Sequence, residues 1–503
     1  MKLGELLRGV PTLESGADTA AEITSLAYDS RRVKPGTLFF AIQGEKADGH
    51  DFIPQALGAG AAAIVSERPS PPELSSRWVQ VARIRRALSD AAREFLGRPD
   101  SQLLLIGITG TNGKTTTAFL MESVLRAAGK QPGLFGTIEY RVGGRTVSAV
   151  NTTPESLDLL SYFDELVKAG GQAAVLEASS HALAQERLWG FRFSAAVFTN
   201  LTRDHLDFHK DFDHYFAAKR RLFEGLGTPP PELAVINADD PWGVKLMEIP
   251  NPRRITFGMN SGAAVRPTAF TQDQTGLHAT LATPAGKVEI ESSLIGRANL
   301  ANILAATATA IGLEVPVGKI QEGIALLAAV PGRFERIDEG QPFAVVVDYA
   351  HTDDALRNVL KTARELTRER LIVLFGCGGD RDRTKRPLMG EAAGSLADVV
   401  VLTSDNPRSE DPLLILNDAL VGLQKTGTSY TAEVDREVAI RKALESAREG
   451  DVVLLAGKGH ETYQILRDRT IPFDDREVAR RLLREMGYRS EDAARLRAKP
   501  NRH

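Results

Sequence analysis

A glycine-rich loop between a predicted strand and a predicted helix constrains this chain more than any other stretch. The loop covers residues 107–117 and reads GITGTNGKTTT. The apolar run 103–106 before it is short enough for a buried strand, and residues 118–128 after it carry apolar side chains at helical spacing. In a strand, loop and helix of this kind, backbone amides and the helix N-terminus face an anion. The stretch therefore predicts a phosphate-binding loop.

Two side chains of the loop fit nucleotide binding. Lys114 can reach terminal phosphates, and the Thr115 hydroxyl can hold Mg²⁺. The usual pattern G-x-x-x-x-G-K-[S/T] requires glycine where this chain has Ile108, and glycines stand at 107 and 110 instead. The strict pattern fails, but the strand, loop and helix that it describes remain. A chance Gly-Lys-Thr turn is the alternative interpretation.

The length of the chain and its alternating strands and helices predict three α/β domains. A chain of 503 residues is too long for one core, since domains average ~150 residues. We predict a small N-terminal α/β domain at residues 1–100 and a central P-loop ATPase domain with a mostly parallel sheet at 101–330. A C-terminal Rossmann-like doubly wound domain follows at 331–503. The first boundary is placed in the segment 96–102, which has the glycine and proline of a linker.

Individual strands and helices are predicted from short apolar runs and helical spacing. The N-terminal domain has predicted strands at 37–42 and 62–65 and helices at 53–60 and 84–95. The central domain adds predicted strands at 173–176, 195–198 and 233–236. The C-terminal domain has predicted strands at 343–347, 371–375, 399–402 and 452–455, with helices at 354–370 and 437–448.

Charge, cysteine content and hydropathy exclude several classes of protein. The 62 basic and 65 acidic residues leave a net charge of −3, so no overall field attracts nucleic acid or a membrane surface. A single cysteine, Cys377, rules out an internal disulfide and fits a reducing compartment. The N-terminus lacks the apolar stretch of a signal peptide, and no run approaches ~18 apolar residues. We expect a cytoplasmic protein that binds small molecules, not nucleic acid, and does not insert into a membrane.

Polar segments follow the predicted strands of the two larger domains. In the central domain these segments are 177–181, 199–205 and 237–240, and in the C-terminal domain they are 348–351, 376–381, 405–408 and 457–461. Ligands of open parallel sheets bind outside the carboxyl ends of the strands. We therefore predict one crevice beside the phosphate loop and a second crevice in the C-terminal domain.

Three features of the central domain bear on a metal site. Glu177 is a plausible carboxylate for Mg²⁺, directly or through water, with a helix-capping charge as the alternative. The segment 203–209 places two histidines and two carboxylates within seven residues, which fits a metal site or a hydrogen-bonded loop equally well. Lys219 lies in the apolar-periodic stretch 214–223, where the residues alone favour a solvent-facing side chain.

The motifs together resemble those of the Mur ligases, ATP-dependent amide-forming enzymes of bacterial peptidoglycan synthesis. They run through nearly the whole chain: TGTNGKT at 109–115, NTTP at 151–154, EASSH at 177–181, DHLD at 204–207, GRAN at 296–299, PGRFE at 331–335 and DYAH at 348–351. The family shares the departure at Ile108. DNPR at 405–408 is similar to the signature of the branch that adds meso-diaminopimelate, and lysine-adding relatives lack that arginine. The resemblance implies that meso-diaminopimelate is joined to UDP-N-acetylmuramoyl-L-alanyl-D-glutamate.

The resemblance also implies a role for each candidate site residue. The cosubstrate ATP would be bound by Gly110, Thr111, Asn112, Gly113, Lys114, Thr115, Thr116, Asn299, Arg333 and Asp348. The UDP-muramoyl-dipeptide would be bound by Tyr28, Ser30, Glu45, Lys46, Ala47, Asn151, Thr152, Thr153, Ser179, Gln185 and Arg187. Meso-diaminopimelate would be bound by Arg381, Asp405, Asn406, Pro407, Arg408, Gly457 and Glu461.

The implied metal ligands and catalytic residues overlap. Two Mg²⁺ ions would be held by Thr115, Glu177, His205 and Lys219. Lys219 would act as a carbamate formed with CO₂, which turns a cation into a carboxylate-like ligand. The catalytic residues would be Lys114, Lys219, Glu177 and His205. The implied reaction transfers the γ-phosphoryl of ATP to a carboxylate, and an amine then attacks the acyl phosphate.

Other functions are weighed against this one. A lysine-adding sibling is disfavoured by Arg408, and a folylpolyglutamate synthetase is disfavoured by the muramoyl-binding set. A P-loop motor or transport ATPase would carry a second Walker motif of the hhhhD kind, which the central domain lacks. A nucleotide-sensing scaffold would not need two sets of polar strand-end motifs, since such clusters mark active sites. We expect the ligase to be a monomer.

Overall fold

The computed structural model describes residues 1–44, 47–260, 262–273 and 275–489, and the structural statements below concern these residues. The architecture is α/β, and the sheets of the central and C-terminal regions are mostly parallel, which confirms the predicted fold class. Among the described residues, no helix has the length and apolarity needed to span a bilayer.

The N-terminal region contains one five-stranded sheet. Its strands are β1 Thr12–Ser15, β2 Ser25–Ala27, β3 Thr37–Phe40, β4 Ala61–Ser66 and β5 Trp78–Val81, and its helices are α1 Leu3–Leu6, α2 Ile53–Gly58 and α3 Ile84–Phe95. The order is β1-β5-β4-β3-β2, with β1 antiparallel to β5 and the other pairs parallel. The helix predicted at 84–95 is confirmed. The helix predicted at 53–60 ends two residues earlier, and Gly60 has a left-handed φ of +95°.

The segment predicted as a linker is packed against the domain that it follows. Residues Pro99–Gln102 form a short 3₁₀ turn, and Asp100 is buried. The Arg93 guanidinium on α3 pairs with the Asp100 carboxylate at 3.0 Å. Glycine and proline therefore mark the end of a helix here rather than a loose connection. The domain boundaries themselves stay predictions.

The central region is built on an eight-stranded sheet and a separate three-stranded sheet. Its strands are β6 Leu104–Thr109, β7 Pro132–Phe135, β8 Glu139–Val142, β9 Arg145–Ser148, β10 Ala173–Glu177, β11 Ala195–Phe198, β12 Leu233–Asn237, β13 Arg253–Phe257, β14 Arg266–Gln272, β15 Leu277–Thr283 and β16 Gly286–Ser292. Its helices are α4 Lys114–Ala127, α5 Ser156–Lys168, α6 Ser180–Ala184, α7 Leu206–His209, α8 Phe212–Glu224, α9 Pro241–Leu246, α10 Arg297–Gly312 and α11 Val317–Leu326.

The order of the large sheet explains how the polar segments meet. It runs β13-β12-β11-β6-β10-β7-β8-β9, parallel from β13 to β7 and antiparallel beyond. Strands β10 and β11 are buried along their whole length between two layers of apolar side chains. Since β6 lies between β10 and β11, the loops that leave these three strands emerge side by side. The strand predicted at 195–198 is confirmed, and β10 and β12 each extend one residue further than predicted.

The antiparallel sheet of β14, β15 and β16 was absent from the sequence prediction. Its strands are paired in sequence order. In β16, Val288 and Ile290 are buried while Lys287 and Glu289 are exposed, which is the alternation of a sheet with one solvated face. That alternation was the signal by which the sheet could have been found.

The C-terminal region is a second doubly wound unit. Its strands are β17 Glu335–Ile337, β18 Ala344–Asp348, β19 Leu371–Cys377, β20 Val399–Ser404, β21 Ser429–Glu433, β22 Val452–Ala456, β23 Tyr463–Ile465 and β24 Thr470–Pro472, and its helices are α12 Asp353–Leu366, α13 Lys385–Leu396, α14 Pro412–Leu423, α15 Arg436–Ser446 and α16 Asp475–Glu485. The main sheet has the order β17-β18-β22-β19-β20-β21 with only β17 antiparallel. Strands β18, β19, β20 and β22 confirm the four predicted strands, and α12 ends four residues before the predicted position.

Candidate active site

The phosphate loop spans the turn from β6 to α4. Gly110 and Gly113 have φ values of +148° and +87°, a region that favours glycine. A Cβ at 110 would lie 1.9 Å from Thr199 Oγ1, and a Cβ at 113 would lie 2.3 Å from Asn302 Oδ1. Both positions therefore exclude a side chain for space as well as for backbone conformation.

A second loop fixes the phosphate loop from the neighbouring strand. The Thr111 amide donates to Asn200 O at 2.8 Å, and the Asn112 amide donates to Asn200 Oδ1 at 2.9 Å. Asn200 follows β11 and was not predicted as a site residue. Its polar side chain directly after a buried strand was the available signal.

Lys114 and Lys219 meet at one backbone carbonyl. Lys114 Nζ donates to Gly110 O at 3.0 Å, and Lys219 Nζ donates to the same oxygen at 2.7 Å. Burial lowers the pKa of Lys114, and it lowers the pKa of Lys219 well below its ordinary value, with the nearby Lys114 charge acting in the same direction. Lys219 is buried, so the solvent-facing side chain favoured by helical spacing alone is wrong.

Glu177 lies at the end of β10 with its carboxylate against the phosphate loop. Its Oε2 accepts from Thr115 Oγ1 and Thr137 Oγ1, both at 3.0 Å, and its Oε1 accepts from the Thr137 amide at 2.9 Å. The following helix α6 is capped by Ser179, so a helix-capping role for Glu177 is wrong. A carboxylate beside a threonine hydroxyl is the oxygen pair that Mg²⁺ uses.

His205 lies at the N-terminus of α7, beyond the loop that follows β11. Its backbone has a left-handed φ of +52°, and its Nε2 is 3.4 Å from Asp204 Oδ2. The ring is 4.7 Å from the His181 ring, centroid to centroid. Burial lowers the pKa of His205, which favours the neutral imidazole that binds metals.

The predicted cluster at 203–209 does not form one ligand set. His209 is buried and stacks on Tyr215 with ring centroids 5.0 Å apart. Within the described ranges, no group of three or more His, Cys, Asp or Glu side chains has the arrangement of a metal site. Mg²⁺ nevertheless needs few protein ligands, because it keeps waters and binds substrate phosphates. Thr115 and Glu177, in contact at 3.0 Å, fit such an ion. His205 offers a neutral imidazole as a further ligand, and Lys219 fits only after its amine becomes an anion.

The remaining candidate nucleotide residues surround the loop. Thr116 is buried in the first turn of α4, and Asn299 Oδ1 accepts from Asn302 at 3.3 Å. Arg333 Nη2 donates to Thr115 Oγ1 at 3.3 Å across the predicted domain boundary. Asp348 accepts from the Phe334 amide at 2.7 Å, and burial raises its pKa. Arg333 thus reaches the phosphate loop from the C-terminal region, whereas Asp348 accepts hydrogen bonds from backbone amides of its own region.

Four predicted muramoyl-peptide residues form one cluster beside Glu177. Thr153 Oγ1 donates to Glu177 O at 2.6 Å and lies 3.1 Å from Ser179 Oγ. Arg187 donates to Thr153 O at 2.9 Å and to Gln185 Oε1 at 2.7 Å. Thr152 and Asn151 lie next to this cluster in sequence. Thr152 Oγ1 is 3.1 Å from Thr137 Oγ1, and the Asn151 amide donates to Tyr140 OH at 3.1 Å.

The predicted uridine-nucleotide residues lie in the N-terminal region. Tyr28 OH donates to Asp158 on α5, so this residue also joins the N-terminal and central regions. Ser30 Oγ donates to Gln55 Oε1 at 2.9 Å. Ala47 O accepts from the Gly44 amide at 2.9 Å. Glu45 and Lys46 lie outside the described residues.

A cavity of about 430 Å³ opens between the central and C-terminal regions. The central region contributes His181, Arg203, Asp204, His205, Leu206, Asp207 and Phe208, and the C-terminal region contributes Tyr349, His351, Asp353, Gly378, Arg381, Asp382, Lys385, Asp405, Asn406, Arg408, Gly457 and Glu461. Six of the seven predicted diaminopimelate residues are in that lining. The seventh, Pro407, is not in the lining; its carbonyl oxygen lies against Gly379, where an added Cβ would meet it at 1.9 Å.

Two arginines and four carboxylates of the C-terminal region line this cavity. Arg408 Nη1 donates to Gly379 O at 2.8 Å, and burial together with the Arg381 charge lowers the Arg408 pKa. Asn406 Nδ2 donates to Glu461 Oε2 at 2.9 Å. Gly457 has a φ of +113°, and a Cβ there would lie 2.7 Å from Asp405 Oδ2. The cavity therefore offers positive and negative groups close together, as a zwitterionic ligand requires.

Three family models match successive parts of the chain. Their descriptions are "Mur ligase family, catalytic domain" for residues 22–96, "Mur ligase middle domain" for residues 108–310 and "Mur ligase, glutamate ligase domain" for residues 332–459.

Curated relatives and a solved structure match over nearly the whole chain. A UDP-N-acetylmuramoyl-L-alanyl-D-glutamate--2,6-diaminopimelate ligase of Solibacter usitatus is 58% identical over 97% of this chain and 99% of its own. A protein of the same name from Geobacillus thermodenitrificans is 47% identical over 96% of this chain and 100% of its own. A solved structure of a ligase of that name is similar with a TM-score of 0.68 at 32% identity, covering 97% and 99% of the two chains.

Proposed function

The chain belongs to the Mur ligase family, and we propose that it is the ATP-dependent ligase that adds meso-diaminopimelate during peptidoglycan synthesis. The acceptor is the D-glutamate side-chain carboxylate of UDP-N-acetylmuramoyl-L-alanyl-D-glutamate. The bond that forms is an amide, and ATP is converted to ADP and phosphate. The protein acts as a cytoplasmic monomer.

The observation that carries this proposal is the cavity between the two regions. It brings Arg408 and Glu461 of the C-terminal region to the same space as Asp204 and His205 of the central region. The C-terminal region also contacts the phosphate loop of the central region. There, Asn112 Nδ2 donates to Asp354 Oδ2 at 3.2 Å. This contact supports an arrangement in which an amino acid in the cavity lies near a nucleotide on the loop.

The first chemical step activates the acceptor carboxylate. A carboxylate is a poor acyl donor, so its oxygen attacks the γ-phosphorus of ATP, the bond from that phosphorus to ADP breaks, and an acyl phosphate and ADP form. The cluster of Thr153, Ser179 and Arg187 holds the acceptor beside Glu177. Lys114 and Arg333 offset the charge of the two anionic reactants. Thr115, Glu177, His205 and Lys219 as its carbamate would hold Mg²⁺, which would supply further positive charge at this point.

Lys219 is suited to carbamate formation by its surroundings. Its low pKa leaves a neutral amine at a pH where an exposed lysine is charged. The neutral nitrogen forms a bond to the carbon of CO₂ and releases one proton, which yields a carbamate anion. The carbamate anion lies next to Lys114, so it attracts the Lys114 ammonium, which a protonated Lys219 would repel.

The second chemical step forms the amide. A deprotonated amine of diaminopimelate attacks the acyl carbon, and the tetrahedral intermediate expels phosphate. Water competes with the amine for the acyl phosphate, so contacts between the two regions have to exclude it during the reaction. The Arg203 contact with Thr384 Oγ1 at 2.7 Å is one such contact across the crevice.

Phosphate release with defined substrates tests the proposal. The enzyme is given ATP, Mg²⁺ and UDP-N-acetylmuramoyl-L-alanyl-D-glutamate, and each candidate amino acid is added in turn. We expect release that depends on the dipeptide substrate and is fastest with meso-diaminopimelate. Equal release with no amino acid would indicate a simple ATPase, and faster release with L-lysine would indicate the lysine-adding activity.

A further inference from the structure

Lys458 is a fully buried lysine behind two residues that line the cavity, Asn406 and Glu461, and the proposed reaction gives it no role. It follows β22 and lies between Gly457 and Glu461 in the chain. Its Nζ donates to Glu461 Oε2 at 3.0 Å and to Asn406 Oδ1 at 3.3 Å, and it is 3.9 Å from Asp405 Oδ1. A lysine buried this completely needs a charged partner, and here it has two.

Apart from Asp353, Asp382 and Lys385, the charged side chains on this side of the cavity, together with Lys458 behind it, fall into two groups. Asp405, Glu461 and Lys458 together carry one net negative charge when all three are ionised. Arg408 and Arg381 form the positive group, and they are close enough for the Arg381 charge to act on Arg408. A ligand end that suits both groups has an ammonium for the first and a carboxylate for the second.

The two amino acids under comparison differ at that end. Diaminopimelate has an ammonium and a carboxylate on its distal carbon, whereas lysine has only an ammonium. Without the Lys458 charge, Asp405 and Glu461 would carry two net negative charges. Such a wall would attract a lone ammonium more strongly and would repel a neighbouring carboxylate.

We propose that Lys458 is a positioning residue that makes the cavity prefer an amino acid with a distal ammonium and carboxylate over one with a distal ammonium alone. It limits the negative charge of the Asp405 and Glu461 pair, and it fixes the orientation of Glu461 both directly and through Asn406. Asn406 Oδ1 also accepts from the Ile465 amide at 2.9 Å, so the geometry is tied to the backbone. This inference rests on the proposed function, because it concerns selection between its two candidate substrates.

Four variants separate the charge of Lys458 from its volume. Lys458→Met removes the ammonium and keeps a long apolar side chain. Glu461→Gln removes one carboxylate, and the double variant Lys458→Met with Glu461→Gln returns the group to one net negative charge. Lys442→Met is the matched control, since Lys442 lies on α15 and pairs with Glu433 at 2.6 Å. Phosphate release gives kcat/KM for meso-diaminopimelate and for L-lysine, and calorimetry with ADP reports folding of the nucleotide site.

The measured quantity is the ratio of kcat/KM for diaminopimelate to kcat/KM for lysine. We expect Lys458→Met to lower this ratio at least about tenfold, through KM for diaminopimelate, with kcat within about threefold of wild type. The double variant should recover the ratio to within about threefold of wild type. The control should match wild type.

Two results would overturn the inference. One is an equal loss of kcat/KM for both amino acids in Lys458→Met, because a purely structural role would affect the two substrates alike. The other is an equal ratio in Glu461→Gln and the double variant, which differ only at Lys458. If Lys458→Met does not bind ADP, the comparison of Glu461→Gln with the double variant is enough to test the role of Lys458. A wild type that prefers lysine would instead refute the proposed function, so the two failures are distinct.

Discussion

Replacement of Arg408 by alanine tests both the amino-acid site and the choice of substrate. Arg408 Nη1 is held by Gly379 O at 2.8 Å, which leaves the rest of the guanidinium edge facing the cavity. The backbone at 408 has a left-handed φ of +53°. Since arginine and alanine both carry a Cβ, that strain cancels in the comparison. The substitution therefore removes the charged fork and little else.

The size of the effect follows from the contacts that the carboxylate would lose. Hydrogen bonds to charged groups contribute about 1.5–3 kcal/mol each, and an arginine can make two in parallel to one carboxylate. Arg381 remains to attract the carboxylate, and removal of Arg408 relieves its repulsion with Arg381. A net loss of about 3 kcal/mol is expected, or roughly 10²-fold in kcat/KM for meso-diaminopimelate. Lysine has no distal carboxylate, so its kcat/KM should stay level or rise.

Steady-state kinetics with both amino acids measure this effect. Binding of ADP and of UDP-N-acetylmuramoyl-L-alanyl-D-glutamate is followed by calorimetry and should be unchanged, because their candidate residues lie outside the cavity wall that contains Arg408. Arg441→Ala is the control, since Arg441 lies on α15 and pairs with Glu485 at 2.7 Å. The reasoning is refuted if Arg408→Ala keeps its efficiency for diaminopimelate to within about threefold.

Three further predictions concern the phosphate loop, the carbamate and acid stability. Lys114→Ala should abolish turnover while calorimetric binding of the UDP-muramoyl-dipeptide persists, and loss of both together would point to misfolding. Enzyme freed of CO₂ should lose activity and regain it with bicarbonate, and ¹³C-bicarbonate should label the wild type but not Lys219→Ala; equal labelling of the two would refute the Lys219 assignment. Hydrogen bonding to the buried Arg386 lowers the pKa of Glu410 from 4.5 to about 2. The contribution of the Glu410 carboxylate to the free energy of unfolding is therefore full above about pH 4.5, and it is lost as the pH falls towards 2. Urea unfolding should show Glu410→Gln less stable than wild type at pH 7, with a smaller difference at pH 3; a constant difference would contradict this.

Much of the secondary structure could be predicted because it depends on neighbouring residues. The helix at 84–95 and the strand at 195–198 have the predicted limits. Each is set by apolar spacing within a dozen residues, which the sequence displays directly. The sheet of β14, β15 and β16 was missed, since short alternating strands are weak signals until a partner strand pairs with them. The end of α12 was also predicted four residues too late.

The phosphate loop was also determined by local sequence. Its glycines, Lys114 and Thr115 lie between a strand and a helix that the sequence itself specifies. The family resemblance then supplied roles for distant residues that no local pattern could assign. Those roles stay predictions, although six of the seven predicted diaminopimelate residues line one cavity.

Only the tertiary structure decided which polar side chains are buried and what they contact. Lys219 looks like a surface residue of a helix, yet it is buried against Gly110, more than a hundred residues away in the chain. Lys458 shows no special pattern, yet it is fully buried between Asp405 and Glu461. The physical reason is that spacing along a helix or loop tells which residues share a face. The charge and solvation of a side chain depend on the elements that pack against that face, and these come from distant parts of the chain.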